Sequence, residues 1–120
     1  MNQLDMMRET IALYHKYEWR VQRVLLTPET GAALAAHPLE ALAGVALAEH
    51  EADALWFARP SHEGREAWEL RLVSGTPYAL FEAFEADEPE IDREEVRADA
   101  EARLREYARN IGKTGQYPGR

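Results

Sequence analysis

The sequence predicts an α+β fold: a mainly antiparallel sheet of about four strands, with N- and C-terminal amphipathic helices packed on it. Three observations carry this. Residues 54–87 hold three apolar runs, parted by Pro60-Ser61-His62-Glu63-Gly64 and by Ser74-Gly75-Thr76-Pro77. Strand-like runs joined by short turns are a meander, here over residues 53–86. Leu4, Met7, Ile11 and Tyr14 recur at helical spacing, and so do Val96, Ala100, Leu104, Tyr107 and Ile111 near the other end.

Each element follows from its residues. Asn2 can cap a first helix over 2–16. Between Tyr17 and Leu26, Trp19 and Val21 alternate with Arg20 and Gln22 before Val24-Leu25-Leu26, which reads as a strand with a bulge. Thr27-Pro28-Glu29 supplies an N-cap, an N1 proline and a first-turn acid for a short helix over 28–36, stopped by Pro38. Residues 38–49 fit a short helix followed by a loop or short strand. The meander strands fall at about 53–59, 66–73 and 77–86. In the middle one, Trp68, Leu70 and Leu72 share a face opposite Glu69 and Arg71, so a sheet with one wet face is expected. Asp92 and Glu95 resemble a capping box for the last helix, and Gly112 reads as its C′ residue. One domain over 1–112 results, with 113–120 a frayed tail.

Composition excludes several classes. The chain has 22 acidic and 14 Lys or Arg residues, a net charge of −8, and no cysteine. Disulfides and thiolate chemistry are absent. Binding to phosphate backbones needs clustered cations, so direct contact with nucleic acid or an anionic membrane is not expected. No run approaches the ~20 apolar residues of a membrane span, and the start lacks the pattern of a signal peptide. These features point to the cytoplasm. The excess of Arg over Lys and the abundance of Ala point to a G+C-rich bacterial genome.

Short chemical motifs do not hold up. Glu49-His50-Glu51-x-Asp53 is the tightest grouping around a histidine, but neither a strand nor a helix converges three ligands from it. No metal or other cofactor is expected. Ser61-His62-Glu63 lines up the groups of a triad, yet three consecutive turn residues point apart. Gly112-Lys113-Thr114 lacks the earlier phosphate-loop glycine, since position 107 is Tyr107. No catalytic residue is assigned.

Two features remain. Residues 82–95 carry eight acids and one base in 14 positions. The run is either a solvated strand exit and first helical turn, or a negative patch for a basic partner. The neighbours Trp56-Phe57 and Leu80-Phe81 must point to opposite faces in a strand, so one of each pair is exposed unless both faces are covered. The expected function is a small acidic bacterial protein-binding module of adaptor, chaperone-like or immunity-like type. Trp56, Phe81, Glu85, Asp87, Glu88 and Glu90 would form an acidic rim and exposed aromatics for a basic protein. A homodimer is compatible with this. The alternatives are a small-molecule binder or small enzyme using the open face of the sheet, and an acidic phosphate mimic that blocks a nucleic-acid-binding protein.

Overall fold

The computed structural model describes residues 2–114. Its elements are α1 (Gln3–Lys16), β1 (Arg20–Leu26), α2 (Pro28–Ala36), β2 (Ala46–Glu49), β3 (Ala54–Pro60), β4 (Glu66–Leu72), β5 (Ala79–Phe84) and α3 (Glu90–Thr114). Short 3-10 turns occupy Glu40–Leu42 and His62–Gly64. The strands form one sheet in the order β2-β1-β3-β4-β5, and only the β1–β2 pair is parallel.

Local chemistry sets the boundaries. The Asn2 side chain accepts from the Asp5 N–H at 2.8 Å and caps α1. Thr27 accepts from the Thr30 N–H, and Pro28 occupies the first turn of α2. The expected bulge in β1 lies between Val21 and Arg23.

The sheet has five strands where about four were expected. The fifth strand, β2, is the short strand that residues 38–49 allowed after a short helix; its Ala-Leu-Ala-Glu has no β-branched or aromatic residue to favour strand over loop. It forms because α2 and the 3-10 turn carry the chain back to pair beside β1, after Gly44 turns it at φ 78°.

Both faces of the sheet are covered at its centre, which corrects the expectation of one wet face. Leu55 and Phe57 pack with Leu4, Met7, Ile11 and Tyr14 of α1 and Leu34 of α2. Leu25, Trp56 and Leu70 pack with Ala100 and Leu104 of α3. The apolar run at the start of β3 is the cause, since alternating side chains bury only if each face has a cover. Trp56 and Phe57 are therefore both 0% exposed.

The last helix also departs from expectation. It starts at Glu90, where the Pro89 carbonyl accepts from the Asp92 and Arg93 N–H groups at 3.1 Å. Asp92 therefore sits inside the first turn and cannot serve as the cap. Gly112 does not end α3, which continues to Thr114. The remaining tail residues, 115–120, lie outside the described residues. Among the described residues, no helix is long and apolar enough to cross a membrane.

One buried acid ties the layers together. Asp53 accepts from the Thr27 N–H at 2.8 Å, the Thr30 hydroxyl at 2.6 Å and the Gln3 amide at 2.9 Å. Its own carbonyl accepts from the Val73 N–H. A carboxylate with several donors withstands burial that an unpaired one would not. This hub fixes the starts of α1, α2 and β3 against the end of β4.

Candidate functional site: the open quarter of the sheet

α1 and α2 cover β1 and β3, but over β4 and β5 their face of the sheet is partly open. Glu69 and Arg71 are half-buried there, while Ala79, Phe81 and Ala83 of β5 are exposed. Between this corner and the end of α1 lies a cleft of about 360 Å³, lined by Tyr14, Trp19, Arg59, Glu69 and Arg71, with Leu13 and Tyr17 at its margin.

The end of α1 delivers its aromatic wall. The Glu18 N–H bonds the His15 carbonyl, and the Trp19 N–H bonds the Tyr14 carbonyl. This is a Schellman closure, and its usual apolar contact is the edge-on packing of Tyr14 and Trp19, with centroids 6.1 Å apart. The left-handed residue is Glu18, at φ 72°, where glycine is the usual choice.

Tyr14 stands at the centre of the cleft. It stacks on Phe57 at 4.1 Å, and its hydroxyl donates to Glu69. Arg71 donates to the same hydroxyl at 3.5 Å. Burial, and then the hydrogen bond to Glu69, push the Tyr14 phenol up to about 12, so it stays a proton donor at neutral pH.

The arginines of the cleft differ from most of the others. Arg8, Arg23, Arg65, Arg93, Arg97, Arg103 and Arg109 each pair with a carboxylate. Arg59 instead lies 4.6 Å above the Trp19 ring and donates to the Tyr17 carbonyl. Arg71 has no ion-pair partner among the described residues, and its Nε is buried without a hydrogen-bond acceptor.

Part of the exposed apolar surface lies on the same side. Among the described residues, the large exposed hydrophobic ones are Leu13 at 49%, Tyr17 at 58%, Leu47 at 54%, Phe81 at 59% and Ile91 at 72%. Leu13 and Tyr17 border the cleft, and Phe81 stands opposite Glu69 in the β4–β5 register, on the same face. Leu47 belongs elsewhere, to an apolar hollow of about 380 Å³ with Leu34, Leu39 and Leu42 beside the edge strand β2.

The residues singled out in the sequence separate. Phe81 is exposed as expected. The exposed role for Trp56 is overturned: the side chain is wholly buried, and its indole N–H donates to Glu101 at 2.7 Å. The acidic run follows β5 directly and is extensively tied down. Glu82 pairs with Arg103, Glu85 with Arg65, and Glu90 with Arg97. The Glu88 side chain closes the turn by accepting from the Glu85 N–H at 3.0 Å, and Asp87 is exposed. Glu94 bonds both Arg23 and Arg97, and Arg23 holds its carboxyl below the usual range. Glu82 and Glu94 therefore fasten α3 to the sheet, while Glu85, Glu88 and Glu90 are engaged locally.

The histidine grouping scatters. Asp53 turns into its hub, Glu51 pairs with Arg109 at 2.7 Å, and His50 faces Arg105 at 3.4 Å. Among the described residues, no three His, Asp or Glu side chains gather as a metal site.

Sequence reading missed the cleft and the buried Arg97. Arg97 is 2% exposed and lies 4.5 Å from the Trp68 ring. Its position three residues before Ala100 was a usable signal, because it continues the buried stripe of α3. The cleft had no comparable signal, since it joins the end of α1 to residues 40 to 58 positions away. No protein-family model, curated protein or solved structure matches this chain.

Proposed function

We propose that this chain is a protein-binding module of a bacterial cytoplasm that holds its partner on the open quarter of the sheet. The observation that carries the reading is the gathering of Leu13, Tyr17 and Phe81 around one concave, uncovered corner. Exposed aromatic and aliphatic side chains beside a cleft are the composition of a binding hot spot. The acidic residues Glu85, Asp87, Glu88 and Glu90 follow β5, which carries Phe81, on the way into α3. With a net charge of −8, they favour the approach of a basic partner. The internal pairing of Glu85 and Glu90 assigns the steering to the net field and the affinity to the apolar corner.

The test is a capture from lysate of the native host with wild-type protein and with Phe81→Ser and Tyr17→Ser variants. Both side chains are exposed, so the variants should fold with unchanged circular dichroism. The reading expects a specific protein held by the wild type and lost from both variants. Retention by both at wild-type levels contradicts it.

A further inference from the structure

We infer that the cleft beneath this corner is a binding site for a small aromatic carboxylate, with Arg71 and Arg59 holding the anion and the packed pair of Tyr14 and Trp19 forming one wall beside the ring. This does not rest on the protein-binding reading, because it uses the floor of the cleft and not the exposed Phe81.

The case begins with the unmatched cations. The chain has 22 acidic groups for 14 Lys or Arg residues, so carboxylates are in surplus. Yet Arg59 and Arg71 line one cleft with no carboxylate in ion-pair contact among the described residues. A half-buried guanidinium bears a desolvation cost that a paired carboxylate would offset, and a buried donor without an acceptor calls for an explanation. Arg71 has one bond, to the Tyr14 hydroxyl, and an unbonded buried Nε, which leaves most of its five donors free. The planar fork is the geometry that binds a carboxylate through two bonds.

Glu69, the acid within the cleft, accepts from the same Tyr14 hydroxyl that Arg71 donates to, and no ion pair joins the two among the described residues. Aromatic residues supply the rest of the site: the buried Tyr14 and Trp19 line the cleft and the exposed Tyr17 stands at its margin. A volume of about 360 Å³ lies at the small end of ordinary ligand sites and suits one ring with its acid.

The probe is benzoate, with the uncharged, equally shaped benzamide as the control. Binding is followed by the indole N–H signals in NMR spectra. Trp56 and Trp68 bond Glu101 and Glu66 through those groups on the far side of the sheet, so Trp19 alone should respond. Saturable binding of benzoate with Kd at or below about 1 mM is expected, with benzamide about tenfold weaker or worse. Arg71→Gln and Arg59→Gln should each weaken benzoate by about tenfold, while Arg109→Gln should not. Should Arg71→Gln fail to fold, the exposed Arg59→Gln carries the comparison. Equal binding of benzoate and benzamide, indifference to the folded arginine variants, or no saturation by about 20 mM overturns the inference. Those failures leave the Phe81-dependent capture unaffected, so the two readings fall separately.

Discussion

Leu104→Ala is expected to destabilise the protein by roughly 3–4 kcal/mol. Leu104 is 0% exposed and packs in the cluster of Leu25, Trp56 and Leu70, facing the sheet from α3. Truncation removes three carbon atoms from this cluster. At ~0.8 kcal/mol per buried carbon, lost transfer energy comes to about 2.4 kcal/mol. A residual void on the order of 50 Å³, at ~24 cal/mol per Å³, adds about 1.2 kcal/mol. Ion pairs from Arg23 to Glu94 and Glu101 anchor α3 to the sheet and limit how far the helix can collapse into the gap. Urea unfolding followed by tryptophan fluorescence reads the change directly, because Trp56 and Trp68 belong to the same packing. The midpoint should fall with the slope unchanged. A loss below about 0.5 kcal/mol, the scale of surface changes, would mean that α3 does not cover this face.

Three further outcomes are expected. Glu18→Gly should stabilise the fold by about 1 kcal/mol in the same titration, since φ 72° strains any residue with a Cβ and this cost outweighs the added freedom of glycine in the unfolded chain. The folded state keeps the Tyr14 phenol protonated between its ordinary 10.0 and about 12, so stability present below pH 10 should be lost as pH rises toward 12, a loss of roughly 1–2 kcal/mol after allowance for the open cleft; absorbance titration of the tyrosines checks it, with Glu69→Gln lowering the late step. Asp53→Ala should cost roughly 3 kcal/mol in thermal unfolding, because it strands donors from Thr27, Thr30 and Gln3, whereas Asp53→Asn should cost less.

The layers that local chemistry controls were legible in the sequence. Asn2 and Thr27 act as caps, the bulge falls between Val21 and Arg23, and the meander turns where Pro, Ser and Gly cluster. Elements decided by distant pairing were legible only as alternatives, as with the loop or short strand expected within residues 38–49. β2 exists because β1 offers it an edge, and its Ala-rich residues carry no preference of their own. The same holds for the cover on the second face: Trp56-Phe57 raised the question of which ring is exposed, and only the docking of α3 answers that neither is. Of the expected site, Phe81 remains on the surface, Trp56 does not, and Glu85, Glu88 and Glu90 are engaged in local pairs and turns. The Tyr14–Glu69–Arg71 cleft was beyond reach because its members come together only when α1 is laid across the sheet.

The claim that the open quarter is the binding face is tested most directly by hydrogen–deuterium exchange on the complex with the captured partner. Protection gained on binding should fall on residues 13–19, 67–71 and 79–84, and the hollow along residues 34–47 should exchange as it does in the free protein. New protection confined to residues 34–47, with the corner unchanged, would contradict the account and move the binding face to the edge of β2.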